Sequence, residues 1–297
     1  MEPKRPVIVV TGATGQQGSA VIRHLPRHFH VRAVTRDVSK PAARALAAQD
    51  VEVVSADLLD RASLERAFAG ATALFGVTNF WDGMASGKPL GADGEVRQGK
   101  NLVDAAKAAG VKHVVFSSAG QSFAWPSPVP HARSKQEVER YLLDSKLPAT
   151  VLRPAFFMEN YNSPMMDFGA KAREGRIELP IRAHQRLQMV STEDIGAFAA
   201  LAFGRPQDFV GAAFDLAGDA LTPGEVAAVF SKVLGKPVAS VADERAIPAI
   251  KQYSQEFGLM WEAFDSLGGD AFIPGLRALH PALESLETFL RRTGWGR

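Results

Sequence analysis

The chain has no cysteine in its 297 residues. Disulfides, thiolate nucleophiles and cysteine-held metals are thereby excluded. Of its seven histidines His24, His28 and His30 fall close together, but Pro26 breaks the helix that would align the first two and no His/Asp cluster has ligand spacing, so no metal centre is expected. No charge of one sign dominates: 34 Lys and Arg against 32 Asp and Glu leave a net +2. Such a balance supplies no field for nucleic acid or an anionic membrane, and no basic stripe is interleaved with aromatics. No apolar run is long enough to span a bilayer, and Met1–Pro6 leads into no signal-peptide core, so a cytoplasmic protein is expected. Ser117-Ser118-Ala119-Gly120 lacks the Gly-x-Ser-x-Gly elbow of serine hydrolases.

What the chain does have is Val7-Ile-Val-Val-Thr11-Gly12-Ala-Thr14-Gly15-Gln16-Gln17-Gly18. Four β-branched residues run into a glycine turn that opens a helix-period segment (Ala20, Val21, Leu25). This is the arrangement a dinucleotide pyrophosphate needs. Gly12 permits the tight turn, Gly15 lets backbone approach the phosphates, and Gly18 lets the helix pack close to the strand. Thr11 through Gly18, with Thr14, Gln16 and Gln17 at the helix mouth, are the candidate phosphate-binding residues.

The first half alternates strand and helix. Strands are predicted at Val7–Val10, Val31–Thr35, Val51–Ala56, Ala73–Thr78, Val111–Ser117 and Thr150–Arg153. Helix-period segments separate them, with Asp60 as an N-cap and Gly70 and Gly110 as stops. This pattern predicts an α/β fold with a doubly wound parallel sheet. Thr222-Pro-Gly-Glu225 is a capping box that starts a helix ended by Gly235, and Ser191-Thr-Glu-Asp194 is a similar start. From Ala246 to Trp295 the pattern is helical, with breaks expected at Gly258, Gly268-Gly269 and Pro274. The expected division is a nucleotide domain over residues 1–155 and a smaller, mostly helical lobe over 156–297, some of whose segments return to the sheet.

The second strand ends in Thr35-Arg36-Asp37. An NAD site carries an acidic residue there for the ribose hydroxyls. Arg36 instead offers a planar fork for a phosphate and a face for adenine, and Lys40 adds a second positive charge. The pair points to the 2′-phosphate of NADP(H); Asp37, one residue on, keeps the ribose-binding acid open as an alternative. At the end of the third strand, Asp57 and Leu58 are placed for the adenine ring, and Asp57 equally fits a turn.

The glycine spacing resembles that of the atypical short-chain dehydrogenase/reductase family. Thr35-Arg36, Val77-Thr78-Asn79-Phe80-Trp81, Gln98-Gly99-Lys100, His113-Val-Val-Phe-Ser117, His131-x-x-x-Lys135 and Leu152-Arg-Pro-Ala-Phe-Phe-Met-Glu-Asn160 resemble its NmrA-like, HSCARG-type branch. The resemblance implies a Rossmann-type fold with NADP(H) over the glycine turn. It implies that Thr78, Asn79 and Phe80 lie beside the cofactor, that Ser117 and Ser118 end the fifth strand, and that Pro154, Phe156 and Phe157 lie near the nicotinamide. The wider family uses a Tyr-x-x-x-Lys pair, in which residues four apart share a helix face. Here Lys135 is present and His131 stands where the tyrosine would. Lys135 is expected to hold the nicotinamide ribose; His131 offers itself as a general acid or as a helix-end residue.

Trp81, Phe123, Trp125, Phe156, Phe157, Met158, Tyr161, Met165 and Met166 follow strands, where a ligand crevice forms. They offer a lining for a flat substrate or filling for a core, and Asn160 and Tyr161 are the polar groups among them. Two functions follow. One is an NADPH-dependent reductase of a small hydrophobic acceptor such as a quinone, dye or conjugated carbonyl, with Lys135, His131 and Tyr161 as catalytic candidates. The alternative is a non-catalytic NADPH/NADP sensor acting through a regulatory protein partner, with the glycine-containing loop Phe80–Asp93 as its switch.

Overall fold

The computed structural model describes residues 5–84, 87–120, 126–163 and 166–296. The chain alternates β1 (Val7–Val10), α1 (Gln16–His24), β2 (His30–Thr35), α2 (Pro41–Ala47), β3 (Glu52–Ser55), α3 (Arg61–Phe68), β4 (Ala73–Val77), α4 (Gly91–Ala108), β5 (His113–Ser117), α5 (Pro130–Asp144) and β6 (Ala149–Pro154). It continues with β7 (Phe156–Phe157), α6 (Phe168–Glu174), β8 (Arg176–Leu179), β9 (Leu187–Val190), α7 (Thr192–Gly204), α8 (Pro206–Phe209), β10 (Ala213–Leu216) and β11 (Asp219–Leu221). It closes with α9 (Pro223–Leu234), β12 (Ala239–Ala242), α10 (Ile247–Tyr253), α11 (Gln255–Leu267), α12 (Ile273–Leu279) and α13 (Leu286–Arg292).

The fold is α/β and Rossmann-like. One seven-stranded sheet has the order β10-β6-β5-β4-β1-β2-β3, with parallel ladders from β3 through β6. Val151 N donates to the Ala212 carbonyl and Ala155 N to that of Leu216, so β10 runs with β6, a late segment returning to the sheet. The strand order reverses beside β1, and in such sheets ligands bind off the carboxyl ends of the strands at that point.

The chain forms two compact units. The first comprises residues 1–119, 130–152 and 195–214. Its core joins Val9, Val34, Leu74, Val114 and Phe116 of the strands to Leu64 and Phe68 of α3, Leu102 and Val103 of α4, and Val138 and Leu142 of α5. The helices α4 and α5 approach closely because Gly99 has no side chain: a Cβ there would overlap the isopropyl group of Val138. Asp60 caps α3 by accepting from Ser63 N, and Gly70 and Gly110 take the left-handed conformation their stops require.

The second unit comprises residues 120–129, 153–194 and 215–297. A three-stranded sheet in the order β11-β9-β7 and a parallel pair of β12 with β8 accompany its helices. Thr222 and Glu225 form the capping box of α9, and Gly235 ends it at φ 67°. Two expected breaks are not breaks. Gly258 lies inside α11, where a Cβ would strike Lys251 of α10, so its role is to let two helices touch. Pro274 sits in the first turn of α12 and starts that helix, since its missing N–H costs nothing there. Likewise the loop expected over Phe80–Asp93 ends early, because α4 opens at Gly91. No helix among the described residues is long and apolar enough to cross a membrane.

His113 is buried in β5, and its hydrogen bond fixes Nε2 as a nitrogen that carries hydrogen. The Thr150 hydroxyl donates to the Phe209 carbonyl and so must accept from His113 Nε2, 2.8 Å away. Burial pulls the imidazole down to about 4. In the unfolded chain it takes up a proton as pH falls through about 6.5, while the native state resists, so stability is lost between pH 6.5 and 4 by about 3 kcal/mol in total. Urea unfolding at pH 7 and pH 4.5 should therefore show wild type losing about 2–3 kcal/mol more than His113→Gln; equal losses would contradict this assignment.

Candidate functional site

The glycine turn is built around one backbone collision that is avoided. A Cβ on Gly18 would sit on the Gly12 carbonyl, so only glycine lets α1 start this close to β1. Gly12 itself has φ +58°, and a side chain there would press Val77 at 2.7 Å. Gly15 N closes the turn on the Gly12 carbonyl at 2.9 Å. Thr11 lies beneath, fully buried, its hydroxyl accepting from Val77 N, so it clamps β1 to β4 from below the turn. Gly15 is the N-cap of α1 and no side chain caps the helix. Gly12, Thr14, Gly15 and Gln16 are exposed, leaving the positive end of a nine-residue helix facing outward.

The end of β5 lies beside this mouth. Ser117, fully buried, donates its hydroxyl to Gln17 Oε1 at 2.5 Å and so ties the first turn of α1 to the sheet. Its neighbour Ser118 is 4% exposed, and its Oγ has no hydrogen-bond partner among the described residues. A buried hydroxyl left unpaired costs about 1–3 kcal/mol, which a bound polar group would relieve. The uncapped helix, the glycine cradle and this orphan hydroxyl fit a dinucleotide.

At the end of β2, Arg36 is 60% exposed and its Nη1 meets Asp82 Oδ2 at 2.7 Å. An exposed pair of this kind contributes about 0–1 kcal/mol and yields readily to a doubly charged phosphate. Asp37 turns away from the ribose role: its Oδ1 accepts from both the amide and the hydroxyl of Ser39. Those bonds hold its carboxyl below the usual range. Lys40, exposed, is the residue before α2. Asp57 Oδ1 accepts from Leu59 N, a turn contact, and Leu58 packs against the core of the first unit.

The end of β4 carries the most connected group. Thr78 donates its hydroxyl to Glu95 Oε1 at 2.8 Å, and Lys135 Nζ lies 2.8 Å from the same oxygen. The Ser134 hydroxyl donates to Glu95 Oε2. Lys135 also donates to the Thr78 hydroxyl at 3.1 Å and to its carbonyl at 3.3 Å. Glu95 has no exposed surface. Burial opposes its ionisation, yet the Lys135 charge and three hydrogen bonds outweigh that and hold the carboxyl below its ordinary value. Asn79, exposed, is fixed by Gln98, whose Oε1 accepts from its amide at 2.9 Å. Phe80 is buried, edge-on to Trp81, and both rings lie against His131, at centroid distances of 6.0 and 5.7 Å. His131 lies in the first turn of α5, one turn before Lys135.

Glu95 was not among the residues singled out by sequence. The signal was its spacing: Glu95, Gln98, Gly99, Leu102 and Ala106 share one helix face, and that face is buried. A carboxylate on an apolar stripe demands a partner.

The remaining candidates belong to the second unit. Pro154 accepts from Gly120 N through its carbonyl, and Phe157 pairs with Val190. Phe156 is buried among Tyr161, Phe168, Trp261 and Phe264. Tyr161 does not fit a proton donor. It is fully buried in this aromatic cluster, its hydroxyl touches only the Met189 sulfur at 3.5 Å, and burial pushes the phenol well above its ordinary value. The segment Met158–Asn162, which reads as a loop in sequence, is a 3₁₀ turn that drives the ring inward. Met158 is also buried; Asn160 and Met166 are half-buried. Phe123, Trp125 and Met165 lie outside the described residues.

This is a Rossmann-like fold with an exposed glycine turn at the head of α1 and an arginine just after β2. The chain belongs to the NmrA-like family, whose model matches residues 4–282. It is 34% identical over 238 residues to the NAD(P)H azoreductase of Xenophilus azovorans, which spans 80% of this chain and 77% of that one. It is 32% identical over 234 residues to quinone oxidoreductase 2 of Escherichia coli (strain K12), spanning 78% and 76%. The structure of an NADPH-dependent quinone oxidoreductase from Escherichia coli complexed with NADPH matches with a TM-score of 0.78 at 28% identity, over 96% of this chain and 99% of that one. NmrA, a negative transcriptional regulator, in complex with NADP, has the same fold: TM-score 0.74 at 23% identity, over 97% and 95%.

The avoided collision at Gly18 is testable. Gly18→Ala should lower the urea unfolding free energy by about 1–3 kcal/mol, because backbone rather than a flexible side chain must move. Gly224→Ala, in open space at the start of α9, should change it by less than about 1 kcal/mol. Equal effects would refute the close approach.

Proposed function

We propose that the protein is an NADPH-dependent reductase of small aromatic acceptors, quinones or azo dyes. The observation that carries this reading is the pairing of an open, uncapped glycine cradle with Arg36 on one side and Lys135 on the other. Bound NADPH supplies a hydride from its nicotinamide. The chain's own residues bind and orient. The α1 N-terminus takes the pyrophosphate, Arg36 and Lys40 take the 2′-phosphate, and Lys135 takes the nicotinamide ribose. Holding donor and acceptor in contact supplies much of the acceleration.

The missing tyrosine bears on the acceptor. Reduction of a ketone leaves an alkoxide, as basic as hydroxide, which requires an acid beside it. Reduction of a quinone leaves a phenolate, whose conjugate acid ionises near 10, and water protonates it readily. A site with Lys135 and no phenol four residues earlier suits the second chemistry. NADPH and a quinone take up one proton and yield NADP⁺ and the hydroquinone. The relative named quinone oxidoreductase 2 supports this acceptor, and the NAD(P)H azoreductase supports an NAD(P)H-dependent reductase with other acceptors. His131 serves chiefly to seat Phe80 and Trp81, on which it packs.

Following NADPH consumption with a quinone and with an azo dye tests this. Turnover is expected with at least one, with Lys135→Met losing about tenfold or more in kcat/KM and Tyr161→Phe staying within about twofold of wild type. Arg36→Ala should raise the KM for NADPH about tenfold and leave that for NADH nearly unchanged. Tight NADPH binding with no acceptor reduced would favour the sensor reading instead.

A further inference from the structure

A lysine at a cleft mouth does not by itself require a buried counter-ion, since its ammonium can reach water. Here Lys135, 13% exposed, has one in Glu95, which is wholly excluded from solvent. Replacing a buried ion pair by apolar side chains of similar volume is often neutral or stabilising, so stability alone gives little reason to bury this one. The geometry is specific. Glu95 Oε1 receives both the ammonium and the Thr78 hydroxyl, and Oε2 receives Ser134. The carboxylate therefore has fixed partners at the end of β4 and on α5.

The contact is written into the helix packing. Gly99 lies one turn after Glu95 on α4, and Val138 one turn after Ser134 on α5. The close approach of Gly99 and Val138 brings the preceding turns together, where carboxylate and ammonium meet. Of the three N–H groups on Lys135, two make the shorter bonds, to Glu95 and to the Thr78 hydroxyl. The third makes the longest, 3.3 Å to the Thr78 carbonyl. That is the one a ribose hydroxyl displaces at least cost.

We propose that Glu95 is the positioning residue for Lys135: it fixes the place and the positive charge of the ammonium, so that one N–H is presented to the nicotinamide ribose. This rests on the reading that Lys135 binds that ribose. Glu95 acts through the lysine and Thr78, without touching cofactor or acceptor.

The test is a double-mutant cycle read by NADPH titration and by separate KM values. Glu95→Gln keeps the shape and the hydrogen-bonding reach of the side chain and removes the charge. It should weaken NADPH binding about tenfold or more and leave the KM for a quinone within about twofold. In a Lys135→Met background the same change should add no further loss of NADPH affinity. If Glu95→Gln does not fold, as judged by circular dichroism, Ser134→Ala serves: it frees one carboxylate oxygen and should weaken NADPH binding about threefold. Wild-type affinity in Glu95→Gln, or in Ser134→Ala where that variant is needed, or losses that multiply in the double variant, overturns the proposal. Wild-type affinity in Lys135→Met overturns the lysine assignment and the proposal with it. A failure to reduce any acceptor contradicts the reductase reading alone, because the titration still reads Glu95.

Discussion

Among the described residues no side chain caps the N-terminus of α1, and the proposed site depends on that. Backbone N–H groups at a helix start seek an acceptor, and here no side chain provides one. Glycine at three positions makes the vacancy usable. Gly18 lets the helix begin against the strand, Gly12 makes the turn, and Gly15 presents bare backbone. Thr11 below and Ser117 behind hold this arrangement from the sheet side, through Val77 and Gln17. The turn is thus held by the protein's own bonds, which would reduce the ordering cost of binding an anion there.

Around that fixed point the charges divide the work. Arg36 is exposed and its guanidinium pairs with Asp82 at the surface, which suits the proposed grip on a phosphate. Lys135 is the opposite case, largely buried and matched to a carboxylate that water does not reach. One cation is free to adapt and the other is held. A cofactor that must be gripped at its distal phosphate, yet aligned closely at its reactive ring, calls for that asymmetry.

Much of this was legible in the chain. The six strands of the first half lie where β-branched runs placed them, because a strand buried on both faces must be apolar throughout. Asp60, Thr222 and Gly235 act as caps for reasons local to a few atoms. The misreadings were tertiary. Gly258 reads as a helix break until α10 is seen against it, and Pro274 reads as a stop until it is seen starting α12. Tyr161 reads equally as pocket lining or core filling, and the packing of Phe156, Phe168 and Phe230 around it decides for the core. Glu95 escaped notice because its partner is 40 residues away on another helix, although its place on an apolar face was visible.

A crystal structure of the protein with NADPH tests the account most directly. It should show the pyrophosphate accepting from the first-turn amides of α1, the 2′-phosphate on Arg36 in place of Asp82, and a ribose hydroxyl on Lys135 with its bond to Glu95 intact. A cofactor bound elsewhere, or one whose adenosine phosphate points away from Arg36, would contradict it.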